Sequence, residues 1–158
     1  MSAVLGIDPG LTGALALVEG GDVRVEDVPT LKIGSKTIID HFALARIIDN
    51  WAPRIGEVWI EFVSASPQMG VTSAFTFGET AGLIRGVCAA HFLKIHLVTP
   101  AKWKVSMKAR GDKDEARARA CEAFPAHGHL FRRKMDHGRA EASLIALYGS
   151  RQMIARAA

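Results

Sequence analysis

An unbroken apolar run, Ala3-Val4-Leu5-Gly6-Ile7, opens the chain and is closed by Pro9-Gly10. Its length and its boundary predict a buried strand ending in a turn. Ala14-Leu15-Ala16-Leu17-Val18 reads as the next strand, and Gly20-Gly21-Asp22 turns the chain into Val23-Arg24-Val25, which alternates apolar and charged residues. Connections this short make the three an antiparallel meander. From Thr37 the period becomes helical, with Leu44, Ile48 and Trp51 at i, i+4 and i+7 and Pro53 just past the end. Val58-Trp59-Ile60-Glu61-Phe62-Val63 is a second buried strand, and the intervening helix lets it lie parallel to the first. After a Ser/Pro/Gly loop, a long helix is predicted over about 73–91 with Phe77, Ala81, Ile84 and Cys88 on one face. Gly78, Gly82 and Gly86 line another face, where missing side chains admit a second backbone, either the chain's own sheet or another copy. Leu93 to Val98 reads as a strand, and 113–123 and the segment after Asp136 as helices. The order of elements predicts an α/β layer around a mixed central sheet, without internal repeats or linkers.

The 158 residues are 49% hydrophobic and 23% charged, which excludes a disordered or fibrous chain and predicts one compact domain spanning 1–158. Cys88 and Cys121 lack the paired spacing of a disulfide framework or a zinc ribbon. No apolar run approaches the ~18 residues of a membrane span, and the start has no basic region of a signal peptide. The expectation is a cytoplasmic protein with no membrane partner. The formal charge of +4 is unevenly spread, because residues 102–139 hold eleven Lys/Arg against five Asp/Glu. A basic third on a mildly acidic remainder points to a polyanion, the plainer alternative being a solvated helical face.

Asp8 and Glu61 stand in otherwise apolar strands, where a carboxylate is costly unless paired, hydrogen-bonded or bound to a cation. A third acidic cluster, Asp136-His137-Gly138-Arg139-Ala140-Glu141, leads into an alanine-rich helix. Separated acids of this kind suit Mg²⁺, with Mn²⁺ able to substitute. Two such ions about 4 Å apart would activate water and stabilise a leaving alkoxide. Lys102, Lys104, Lys108, Arg110 and Lys113 have the spacing of a loop followed by a helix start, and can neutralise phosphates without reading bases. Trp103 among them reads as core rather than as a base-stacking platform, and His127-Gly128-His129 as an exposed loop rather than a zinc site.

Gly6-Ile7-Asp8-Pro9-Gly10 with Thr12-Gly13, Ile60-Glu61, Ser73 to Gly78, Pro100 to Lys104, Gly111-Asp112-Lys113 and the Asp136 to Ala146 stretch together resemble, nearly end to end, the RuvC family of Holliday-junction resolvases, in particular the short forms carried by bacteriophages. The resemblance implies a ribonuclease-H-like fold, a mixed five-stranded sheet with helices on both faces, and a magnesium-dependent homodimer that makes paired nicks across branched DNA. It implies Asp8, Glu61 and Glu141 as catalytic metal ligands, and Lys104 and Lys113 as lysines near the scissile phosphate. Gly138 occupies the position of the family's remaining ligand. Asp136 is then expected to supply it, as oxygen suits magnesium, with His137 favoured instead by helical spacing. Ser64 stands where bacterial relatives carry a phenylalanine wedge. Two rival readings are an actin-like sugar kinase, which needs two such domains, and a nucleic-acid-binding module that has lost catalysis, for which Gly138 argues.

Overall fold

The computed structural model describes residues 2–158. Strands β1 (Ala3–Asp8), β2 (Ala14–Glu19) and β3 (Asp22–Asp27) form the antiparallel meander expected from the sequence. A two-stranded hairpin follows, β4 (Thr30–Ile33) and β5 (Lys36–Ile39), and then α1 (His41–Trp51). Next come β6 (Ile55–Glu61), α2 (Val71–Ala90), β7 (Ile95–Val98), α3 (Pro100–Met107), α4 (Lys113–Ala123) and α5 (His137–Ala157). The main sheet runs β3-β2-β1-β6-β7, with β6 parallel to both β1 and β7. This is the mixed five-stranded, ribonuclease-H-like sheet of the expectation.

Two elements differ from the sequence reading. The helix expected from Thr37 starts at His41, because Asp40 caps it by accepting the Ala43 N–H at 2.9 Å. The residues before it belong to the β4–β5 hairpin, whose positions are mostly exposed and so carry no period tied to a core. The stretch 100–107, expected as a loop, is helix α3, started by Pro100 at its first position.

Alternation along β1 assigns the faces. Ala3, Leu5 and Ile7 join Leu15, Leu17, Val58 and Ile60 in a core shared with Leu44 and Ile48 of α1 and Ile84 and Cys88 of α2. Val4 points the other way, into a core with Ala16, Trp59, Trp103 of α3, Ala120 of α4 and Ile145 of α5. Helices therefore cover both faces. On the second face α5 lies directly on β1: a Cβ at Gly6 would stand 2.2 Å from the Ala142 carbonyl oxygen and 2.4 Å from the Ala146 nitrogen. No residue with a side chain permits that approach. At the far end of the sheet, buried Glu57 accepts hydrogen bonds from Lys94, Arg156 and Trp59. Burial alone would raise its pKa, but these bonds hold the carboxyl down to about 2 and tie the end of α5 to β6.

The glycine face of α2 is turned outward. A Cβ at Gly78, Gly82 or Gly86 would meet nothing within 4 Å, so packing on the chain's own sheet does not account for these residues. Val71 and Phe75, which share this face by helical spacing, are 86% and 71% exposed. Among the described residues no helix is long and apolar enough to cross a membrane.

Candidate active site

Ile7 pairs with Ile60 across the parallel β1–β6 ladder, so Asp8 and Glu61, each one residue further, end adjacent strands side by side. In parallel α/β sheets, ligands bind beyond the carboxyl ends of the strands. Both acids share the parity of the residues that face α3 and α5, and are therefore presented to that side. Because α5 is seated on Gly6 through Ala142 and Ala146, Glu141, one residue before Ala142, is carried to the same end. The three acids come from two strands and a helix and meet only in the fold.

Their proximity is expressed in their titration. Burial, then the charges of Glu141 and Glu61, pushes Asp8 from 3.8 up to about 7, against a hydrogen bond from the Gly10 backbone and the charge of Lys104. Burial likewise raises Glu61, opposed by a hydrogen bond from Trp103 and by Lys104, and reinforced by the charge of Glu141. The Trp103 indole Nε1–H donates to Glu61 Oε1 at 2.8 Å. Lys104 Nζ lies 3.2 Å from Glu141 Oε1 and 5.2 Å from the centre of the Trp103 ring. Consecutive residues of α3 thus engage both glutamates. Sequence reasoning placed Trp103 in the core, where it is fully buried, but missed its bond to Glu61. The residue that a strand acid pairs with across 42 positions of chain has no local signal.

Asp136 is not part of this group. Its side chain is 2% exposed, and its carboxylate accepts the Arg133 backbone N–H at 2.8 Å and the Arg133 guanidinium at 2.8 and 3.0 Å, with Arg139 3.9 Å away. Burial would raise its pKa, yet the Arg133 bonds and charge outweigh it and hold the carboxyl below its usual range. Asp136, expected at the position left by Gly138, is engaged here by Arg133, whose own side chain is largely exposed. Gly138 itself is a packing residue, since a Cβ there would be 2.6 Å from the Thr12 carbonyl oxygen and 3.0 Å from Gly13 Cα. His137 instead stands with its Nε2 3.5 Å from Lys113 Nζ.

Among the described residues no group of three His, Cys, Asp or Glu side chains is placed to hold a metal ion as the side chains stand, and Glu141 is engaged by Lys104. The donor chemistry nonetheless fits a hard divalent cation. Three crowded carboxylates, one of them raised to about 7 by burial and its neighbours, form a concentration of negative oxygen that such a cation relieves. Lys102 and Lys108 are exposed on the outside of α3 and at its end, and Lys113 is exposed at the start of α4, while Lys104 is the lysine in contact with the acids. On the other side an open groove is lined by Gly10, Leu11, Thr12, Thr72, Ser73 and Thr76. His127 and His129, expected in a loop, lie in a 3₁₀ helix, Pro125–Phe131, where His127 Nε2 stands 3.2 Å from Asp22 Oδ1.

No family model matches the chain. The crossover junction endodeoxyribonuclease RuvC of Thermomicrobium roseum is 27% identical over 116 residues, which cover 68% of this chain and 69% of that protein. Two solved structures superpose on nearly the whole fold. RuvC of T. thermophilus in complex with a Holliday junction substrate gives a TM-score of 0.65 at 16% identity, covering 96% of each chain. A second structure of Thermus thermophilus RuvC gives 0.61 at 16% identity, covering 95% of this chain and 96% of the other. The fold is that of RuvC, and the resemblance carried by the sequence motifs is met by a similar curated protein.

Proposed function

We propose that this chain is a metal-dependent endonuclease that nicks branched DNA, such as four-way junctions, by phosphodiester hydrolysis, and that it works as a homodimer. The observation that carries the reading is the convergence of Asp8, Glu61 and Glu141 at one end of the sheet, with Lys104 against Glu141. The likeness to a RuvC solved with a Holliday junction supports the choice of substrate.

Mg²⁺, or Mn²⁺ in its place, held by Asp8, Glu61 and Glu141 would supply an activated water and charge stabilisation for the leaving oxygen. The chain's own residues do the rest. Asp8 and Glu61 fix the position of the negative charge through the rigid β1–β6 ladder. Lys104 balances Glu141 and can turn to a phosphate oxygen that approaches the acids. Lys102, Lys108 and Lys113 neutralise neighbouring phosphates, which gives affinity without base readout. The outward glycine face of α2, with exposed Val71 and Phe75, supports a two-fold contact, since paired symmetric nicks need two sites related by such an axis.

A second reading, a DNA-binding module of the same fold with reduced catalysis, is favoured by Asp136 and Gly138, which leave three acids at the site. Purified protein incubated with a four-way junction, a linear duplex and a flap, in Mg²⁺ or EDTA, separates the two. Mg²⁺-dependent nicking of the junction above the duplex is expected. Junction binding without nicking in either Mg²⁺ or Mn²⁺ would give the function to the binding module.

A further inference from the structure

We propose that Trp103 is a positioning residue for Glu61, holding its carboxylate in the orientation that receives a divalent cation. The proposal deepens the nuclease reading of the same site and rests on it for the role of Glu61.

The argument starts from the topology. Glu61 ends β6 and pairs with Val98 of β7. Only Thr99 separates that strand from Pro100, which starts α3, and the Trp103 backbone N–H bonds back to the Thr99 carbonyl at 3.3 Å. The first turn of α3 therefore rises from the strand position beside Glu61 and brings Trp103 over it. The indole is fully buried among Val98, Met107 and the α5 residues of the same core, which leaves it no freedom to swing away. A buried indole N–H must find an acceptor, and it finds Glu61 Oε1 at 2.8 Å.

The nature of the donor matters. A lysine or arginine at this place would hold the carboxylate equally well and cancel its charge, and so compete with a cation for it. Indole is neutral and donates a single hydrogen bond, so it orients Oε1 while the charge stays available and Oε2 is left to other partners. The two glutamates are thus treated differently by consecutive residues: Glu61 by a fixed, buried, neutral donor, and Glu141 by the half-exposed ammonium of Lys104, which can leave. Outer-shell hydrogen bonds of this kind set how firmly a ligand is presented to a cation, and their removal typically lowers metal affinity by about 10-fold to 100-fold.

The test is Trp103→Phe, which keeps most of the ring volume and removes the N–H. Mn²⁺ binding to the DNA-free protein, followed by electron paramagnetic resonance, is expected to weaken about 10-fold. In parallel, the Mg²⁺ concentration for half-maximal junction nicking should rise by a similar factor, with the rate at saturating Mg²⁺ largely recovered and junction binding in EDTA unchanged. Unchanged Mn²⁺ affinity in a folded variant would make Trp103 a packing residue and overturn the proposal. Should the variant not fold, the wild type decides: the assigned ¹⁵N indole signal of Trp103 should move on Mg²⁺ addition and in Glu61→Gln, and a signal indifferent to both overturns the proposal. Failure of the nuclease reading is distinct, because it appears as a wild type that does not nick, whatever the Mn²⁺ affinity of the variant.

Discussion

Asp8 is strained by what makes it useful. Its pKa, raised from 3.8 to about 7 first by burial and then by Glu141 and Glu61, means that the protonated form is the one the metal-free fold prefers. Its contribution to stability is full below its ordinary pKa and is lost as the pH rises through about 7. Asp8→Asn should therefore raise the melting temperature of metal-free protein at pH 8, and give no gain at pH 3. The same variant should lose Mg²⁺-induced stabilisation and all junction nicking while keeping junction binding; nicking at the wild-type rate would remove Asp8 from the chemistry. Asp136 predicts the opposite pair of outcomes. Asp136→Asn weakens the hold of a buried carboxylate on Arg133, whose own side chain is largely exposed, so the cost is nearer the ~1 kcal/mol of a solvent-screened pair. Melting temperature should fall by a few degrees, and nicking measured below the transition should persist. Abolished nicking with an unchanged melting temperature would return Asp136 to the site.

Among the elements, α5 and α3 make the site out of a plain sheet. Helix α5 can present Glu141 beside Asp8 only because Gly6 and Gly138 let it settle against backbone: Ala142 and Ala146 lie over Gly6, and Gly138 lies against Thr12 and Gly13. The contact at Gly138 decides a question that motif comparison leaves open. Gly138→His would install a ligand type at the vacant motif position, yet its Cβ would press on the Thr12 carbonyl oxygen at 2.6 Å. Overpacking of this kind costs about 1–3 kcal/mol. The variant should melt lower and nick no faster at any Mg²⁺ concentration, as read by thermal melts and single-turnover cleavage. Faster nicking would show that α5 can lift and accept a fourth ligand.

At the scale of the molecule, the acids and Lys104 occupy one end of the sheet, and the outward face of α2 lies on the helical layer opposite α5. If that face joins two copies, side chains added to its glycines must disrupt the pair without touching the core. Gly82→Gln is expected to shift sedimentation from dimer toward monomer and to lose paired nicking. Its monomer should be no less stable, because replacing an open helical glycine gains up to about 1 kcal/mol of helix propensity. A variant that remains dimeric by sedimentation velocity would move the interface elsewhere.

The apolar runs determined the sheet by themselves: β1, β2 and β6 are buried on both faces, so their composition marks them wherever they pack. Local signals equally determined α4, found at 113–123 as expected, and the acids at the ends of β1 and β6, which stand out because a charge in an apolar strand demands a partner. The exposed β4–β5 hairpin lacked that mark, since a ribbon without a buried face imposes no period. Helix α3 carried its starting proline in plain view, but its dense lysines read as loop because its apolar side, Trp103 and Met107, is too narrow to set a period. Who partners whom was decided only by tertiary structure. That Trp103 holds Glu61 and that Lys104 holds Glu141 follow from the way α5 and α3 settle on the sheet, whereas Arg133 claims Asp136 locally, three residues away in a short 3₁₀ turn. A carboxylate accepts from whichever donor the packed chain brings within about 3 Å, and neither sequence spacing nor residue type specifies that donor in advance.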